Sequence, residues 1–176
     1  MSKRVLILHG LGGSDYPHWQ ACLAADLIKQ HYTVSFPVMS SRDNPKLDEW
    51  KECLKKELVH FNPDIVICHS LANVLWFHTC DELDISLEKL MLVAPVSRSR
   101  VVEAASTFYP YPIAKDLKAK DIIMLASTND PYMSEEEALD LKEELNVEIN
   151  VLKNAGHINA DSGFGSHDFA LDWLRK

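Results

Sequence analysis

Short apolar runs alternate along the chain with stretches whose apolar residues recur every third or fourth position. Residues 5–9 form an uninterrupted run, Val-Leu-Ile-Leu-His, stopped by Gly10. A run without polar alternation predicts a strand covered on both faces, the condition of a parallel sheet. Residues 17–30 place Trp19, Cys22, Leu23 and Leu27 on one side and predict a helix. Residues 32–36 predict a second strand, stopped by Pro37. Asn44-Pro45 reads as a helix start, with asparagine as the cap and proline in the first turn. Leu47, Trp50, Leu54 and Leu58 then carry an apolar stripe down to His60.

The same alternation continues. Residues 65–68 predict a third strand, and a helix follows from Leu71 to about Asp81 with almost no loop between them. Residues 90–93 predict a fourth strand, closed by Ala94-Pro95. Residues 97–118, with Pro110, Pro112 and the aromatic residues Phe108, Tyr109 and Tyr111, are irregular. Residues 122–126 predict a fifth strand. Ser134 and Glu137 have the spacing of a capping box, opening a helix that turns Ala138, Leu141 and Leu145 inward. Residues 147–152 predict a sixth strand, and residues 166–175 a last helix carrying Phe169, Trp173 and Leu174.

Six strands alternating with helices predict an α/β fold, a mainly parallel sheet flanked by helices with right-handed crossovers. If the chain enters in mid-sheet, the strand order is 2-1-3-4-5-6. The first and third strands then flank a switch point, outside whose carboxyl ends ligands bind. The loops to inspect are therefore His9-Gly10-Leu11-Gly12-Gly13 and His69-Ser70-Leu71. No repeat, low-complexity tract or linker divides the 176 residues, which fit a single domain, 1–176.

Composition narrows the class. Hydrophobic residues make up 47% and charged residues 25%, the balance of a globular protein. Asp and Glu outnumber Lys and Arg 26 to 18, a net charge of −8. No basic excess exists to displace counterions, so nucleic acid and anionic membranes are disfavoured as partners. The apolar run near the N-terminus is too short for a signal peptide, and no segment is long enough for a membrane helix, so a cytoplasmic location is expected. Cys22, Cys53, Cys68 and Cys80 form no metal-binding or redox spacing and read as buried reduced thiols. No HExxH or HxH spacing occurs, so no metal site is expected.

Ser70 stands where a buried strand runs straight into a helix. A nucleophile elbow needs that sharp turn, with small residues two before and two after; here these are Cys68 and Ala72 in place of the usual glycines. A serine opening a helix can equally be an N-cap. A serine nucleophile needs a base, and the base an orienting acid. Asp130 follows the fifth strand and His157 the sixth, so Ser70, Asp130 and His157 come in the order serine, acid, histidine at three strand ends. Asp130 alone reads as a turn residue before Pro131, and His157 alone as a loop histidine; their concurrence with Ser70 points to nucleophilic catalysis. The backbone N–H groups of Leu11 and Leu71 are candidates for an oxyanion hole. A dinucleotide-binding loop fits poorly: the third glycine of GxGxxG is missing, and no acid follows the second strand. Of the other histidines, His9 is expected to brace the loop it opens, and His69 to point away from Ser70. His18, His31, His60 and His78 read as surface or partly buried, and His167 starts the last helix. Asp161 is a rival acid, but lies so close to His157 in sequence that it is expected to shape the loop.

Several stretches together resemble a known family. They include His9-Gly10-Leu11-Gly12-Gly13-Ser14, His18-Trp19-Gln20, Pro45-x-Leu47-x-x-Trp50, His69-Ser70-Leu71 and Ala94-Pro95. Ser127-Thr128-Asn129-Asp130-Pro131-Tyr132, Gly156-His157-Ile158-Asn159 and Ser162-Gly163-Phe164-Gly165 complete them in order. The chain resembles the retinoblastoma-binding-protein-9 / YdeN type of small serine hydrolase, within the α/β-hydrolase superfamily. The resemblance implies a three-layer α/β-hydrolase fold without a large lid and a Ser70–Asp130–His157 triad. Ala72 stands where the family has glycine after the serine motif, and His167 where tryptophan is common. The expected activity is hydrolysis of a small carboxylic ester, or an amide or thioester, without a cofactor. Because relatives are named for a protein partner, a noncatalytic protein-binding module that keeps the fold is the alternative.

Overall fold

The structure is a computed structural model and describes residues 2–165 and 167–176. Its elements follow in the order β1 (Arg4–Leu8), α1 (Trp19–Lys29), β2 (Thr33–Ser35), α2 (Leu47–Phe61), β3 (Ile65–His69) and α3 (Leu71–Thr79). Then come β4 (Leu87–Val93), β5 (Ala119–Ser127), α4 (Glu135–Leu145), β6 (Glu148–Leu152) and α5 (Asp168–Leu174). The six strands form one sheet in the order β2-β1-β3-β4-β5-β6 with every pairing parallel. The mainly parallel sheet and the strand order expected from the sequence are both present.

The uninterrupted apolar runs have the anticipated cause. Side chains alternate across a strand, and the strands alternate between two hydrophobic clusters. Leu6, Leu8, Val66, Cys68, Leu90 and Leu92 pack with Trp50, Leu54 and Leu58 of α2, with α3, and with Ala138 and Leu141 of α4. Val5, Ile7, Ile65, Ile67, Met91 and Val93 pack on the opposite face with Trp19, Leu23 and Leu27 of α1 and with α5. Removing a fully buried side chain such as Leu54 should cost about 2–5 kcal/mol.

Some boundaries differ from expectation. The strand pairing runs further than the apolar runs: Leu87 pairs with Ala119 and Lys89 with Asp121, lengthening β4 and β5 at their amino ends. The second strand is shorter than residues 32–36. Asn44-Pro45 does not open α2. Lys46 is the extended residue before the helix and makes no side-chain cap; instead Thr107 Oγ1 accepts the Leu47 N–H at 3.1 Å. The Ser134–Glu137 capping box is formed as expected. The irregular stretch 97–118 contains a 3₁₀ segment, Glu103–Phe108, broken at Ala105. Ser166, the expected start of the last helix, lies outside the described residues, and α5 begins at Asp168. All four cysteines are free thiols, but only Cys68 and Cys80 are buried; Cys22 and Cys53 are half-buried, contrary to expectation. Among the described residues, no helix is long and apolar enough to cross a membrane.

Candidate active site

The turn from β3 into α3 puts Ser70 at φ 56°, ψ −122°. Few non-glycine residues adopt that conformation, which costs about 1–3 kcal/mol and survives only where the surroundings impose it. Here the Ser70 N–H donates to Val93 O at 2.9 Å, and the Asn73 N–H donates to Ser70 O at 3.0 Å. Asn73 Nδ2 donates to both Ser70 O and Val93 O at 2.9 Å. The elbow is thus latched to the end of β4. Cys68 and Ala72 are fully buried beside it. The loop after β1 presses on the same point: a Cβ added to Gly10 would lie 2.7 Å from Ser70 Cβ and 3.1 Å from its Oγ. Glycine is needed there for space.

Ser70 Oγ lies 2.8 Å from His157 Nε2. His157 Nδ1 lies 2.8 Å from Asp130 Oδ2 and 3.0 Å from Oδ1. A carboxylate accepts, so Nδ1 carries the proton and the Nε2 lone pair faces the serine hydroxyl. The imidazole and carboxylate are sealed, with side-chain exposures of 7% and 3%. The Tyr132 N–H donates to Asp130 Oδ1 at 2.8 Å, and the Tyr132 ring lies over His157 at 4.5 Å between centroids. Ser70, Asp130 and His157, singled out as three strand-end residues, therefore form one hydrogen-bonded chain.

Leu11 and Leu71 line the cavity beside Ser70, and neither N–H donates to a described protein atom. His9 braces its loop: Nδ1–H donates to Gly10 O at 2.7 Å, and Nε2 accepts the Met39 N–H at 2.9 Å. Burial holds its pKa below the usual histidine value. His69 turns behind the site, its Nε2–H donating to His157 O at 3.0 Å. Burial holds it well below the ordinary histidine range, so it is a neutral donor. Asp161 lies on the cavity rim and is exposed. Of the aromatic segment, Tyr109 borders the cavity whereas Phe108 and Tyr111 are core residues. His167 starts the last helix as its N-cap residue, as expected, and its ring meets Asp26 Oδ2 at 2.8 Å. Among the described residues no cluster of His, Cys, Asp and Glu could hold a metal.

Reading the sequence missed two residues. Asn73, one turn after the serine, latches the elbow; its only local signal is a polar residue among the apolar ones that open α3. His18, which the sequence left as surface or partly buried, is 6% exposed and lines the cavity. Its ring stacks edge-on to His69 at 4.9 Å, and His69 is 5.2 Å from His157. The signal for it was its position in the connection that leaves the carboxyl end of β1.

The cavity above these groups has a volume of about 400 Å³, near the lower end of small-molecule sites. It can admit a small acyl compound to a serine whose hydroxyl meets the His157 imidazole at 2.8 Å.

The sequence model of the serine hydrolase family matches residues 5–176. No curated protein sequence matches the chain. Solved structures do. A YdeN-like protein of Pectobacterium atrosepticum is 26% identical with a TM-score of 0.76, over 98% of this chain and 89% of that one. The ydeN gene product of B. subtilis is 23% identical with a TM-score of 0.80, over 99% and 97%. A structure from a study of carboxylesterases of the thaumarchaeon Nitrososphaera gargenis is 12% identical, with a TM-score of 0.73 over 99% and 90%, a likeness of fold.

Proposed function

Since the chain belongs to the serine hydrolase family, with the α/β-hydrolase fold of the YdeN-like proteins, we propose that it cleaves small carboxylic esters through an acyl-enzyme on Ser70. Amides and thioesters are the other acyl donors this chemistry admits. His157 Nε2 takes the Ser70 proton as Oγ bonds to the carbonyl carbon. The N–H groups of Leu11 and Leu71 receive the oxyanion. The tetrahedral adduct then collapses, the bond to the leaving group breaks, and the leaving atom takes the proton from His157. Water, deprotonated by the same imidazole, attacks the acyl-enzyme and returns Ser70. Asp130 holds the Nδ1–H tautomer throughout and stabilises the imidazolium.

The observation that supports this reading is the unbroken chain from Asp130 through His157 to a serine held at positive φ. A serine serving only as a helix cap has no need of that strained backbone. The test is labelling with a fluorophosphonate, paired with hydrolysis of p-nitrophenyl esters. Wild type should label and turn over. Ser70→Ala should keep its fold, lose labelling and lose at least about 10⁴-fold in rate, as expected when a triad acts as a unit. Equal labelling of the two proteins would overturn the assignment, and an inert wild type would favour a noncatalytic binding module.

A further inference from the structure

The cavity straddles the carboxyl edge of the sheet, and its two halves differ. Leu71, Val96 and Ala105, with Leu11, Val102 and Tyr109 against them, belong to the hydrophobic cluster on the α2–α3 face. The other half adjoins the α1–α5 face, where Trp19 Nε1 donates to Ile158 O at 2.8 Å and ties the start of α1 to the loop after β6. The polar lining residues Ser14, Asp15, His18, Asn159 and Asp161 come from the two loops so joined, after β1 and after β6. His157 stands on this side, between Ala155 and Ile158 of the α1–α5 cluster. The reaction proposed above requires the leaving atom to collect a proton from His157 Nε2. The leaving group must therefore depart into the polar half, which leaves the apolar half for the acyl chain.

His18 has one nitrogen committed and one free. It precedes α1, and its Nδ1 accepts the Gln20 N–H at 3.2 Å. A neutral imidazole carries one N–H, so the proton is on Nε2. Burial, reinforced by the neighbouring His157, holds His18 at a pKa of about 4, so the ring is neutral near pH 7. No described residue accepts from Nε2. Among the described residues the sealed, unpartnered side-chain atoms are Asn73 Oδ1 and the Tyr109 hydroxyl, so Nε2 of His18, a residue of the cavity lining, keeps access to solvent.

We infer that His18 determines leaving-group specificity: its Nε2–H donates to an oxygen on the leaving alcohol. The substrate class is then an ester joining an apolar acyl group to a polar alcohol bearing a second hydroxyl or carbonyl oxygen. This rests on the hydrolase reading above and assigns that site its substrate class. A site that offers an unpaired donor favours the ligand that satisfies it over an isostere that cannot.

Two esters with one acyl group and isosteric alcohols test it: 2-hydroxyethyl butyrate and propyl butyrate, compared by kcat/KM, which reports the steps up to acylation. Wild type should favour the hydroxyethyl ester by about tenfold, the size of one neutral hydrogen bond. His18→Asn keeps a side-chain oxygen able to accept the Gln20 N–H but places no donor where Nε2 stood, so the preference should vanish. His18→Gln carries an amide N–H near that position and should keep most of it, which gives an independent reading should the asparagine variant fail to fold. A wild type without preference, or a preference that survives His18→Asn, overturns the inference while the hydrolase reading stands. If Ser70→Ala hydrolyses both esters as fast as wild type, the hydrolase reading fails and this inference falls with it.

Discussion

Ser70 and His157 meet at 2.8 Å, yet the chain holds them by different means. The serine elbow is held mainly by backbone. β3 pairs along its length with β4, Ser70 N–H reaches Val93 O, and Asn73 closes the turn. The histidine loop is held by side chains. The N–H groups of Asn154, Ala155, Gly156 and His157 donate in turn to Thr128 Oγ1, Ser127 Oγ, Asn129 Oδ1 and Ser162 Oγ, at 3.0, 3.0, 2.8 and 3.0 Å. Gly156 sits at φ +55°, where an added Cβ would meet Ser162 Oγ at 2.4 Å. Three of those four acceptors, Ser127 to Asn129, run from the last residue of β5 to Asp130. The acid and the mooring of the histidine are therefore one structural unit, and the serine is another. Sheet geometry insulates the elbow from most substitutions, whereas the histidine loop is only as well placed as a few hydroxyl and amide side chains keep it.

The strongest way to break this arrangement is Asp130→Asn. The amide keeps the shape of the carboxylate but can hold the wrong imidazole tautomer and offers no charge to the imidazolium. A loss of about 10⁴-fold in kcat on an activated ester is expected, as in other serine–histidine–acid triads. Asp161→Asn, on the exposed rim, should leave the rate near wild type. If Asp161→Asn carries the loss and Asp130→Asn is nearly silent, the acid has been assigned to the wrong loop.

A pair of substitutions then sharpens the contrast between the two units. Ser127 is 1% exposed; its Oγ accepts from Ala155 N–H and donates to Asn129 Oδ1 at 2.9 Å. Ser127→Ala orphans a buried N–H and frees the amide that moors Gly156. Asn73→Ala removes the elbow's side-chain latch but leaves the Ser70 N–H to Val93 O bond. Each should cost about 1–3 kcal/mol of stability in urea unfolding. Only Ser127→Ala should also slow acylation, by about tenfold, because displacement of the base by a fraction of an ångström is enough. Equal rate losses in the two variants would show that the elbow is no better insulated than the loop.

How far the sequence revealed this structure follows the same division. Strand existence and order were legible because each central strand is covered on both faces and reads as an apolar run. Ser70 and Asp130 were legible because each follows such a run, and His157 because it follows the shorter edge strand β6 in the order a triad needs. What escaped notice depends on chain segments distant in sequence. The start of α2 is set by Thr107, sixty positions beyond Leu47, so Asn44-Pro45 looked the better cap locally. The early parts of β4 and β5 carry the charged residues Glu88, Lys89, Lys120 and Asp121 and enter the sheet because their partners do. The place of His18 in the cavity was not legible because nothing near it in sequence indicates that the loop after β6 folds across the start of α1.

The smallest effect expected is one of slope, and it separates the two units by pH. The elbow leans on backbone bonds and on Asn73, none of which titrates between pH 4 and 7. The histidine side leans on His69, which holds His157 O, and on His18, which caps α1 behind it. Burial depresses both pKa values, His18 to about 4. The sign is the reverse of that for a histidine gaining an acidic partner. Below about pH 6.5 the unfolded chain binds a proton at these positions and the native chain does not. Stability should therefore fall as pH drops from about 6.5 toward 4, and His18 contributes until it too is protonated in the native state. Each whole proton taken up on unfolding corresponds to about 1.4 kcal/mol per pH unit. His18→Asn has nothing to titrate there. Urea unfolding of wild type and His18→Asn at pH 7, 6 and 5 should show the variant less stable than wild type at pH 7 but losing less stability on acidification. Parallel declines would mean that His18 is not held neutral by burial, and that its contact with the rest of the site is looser than the packing on His69 implies.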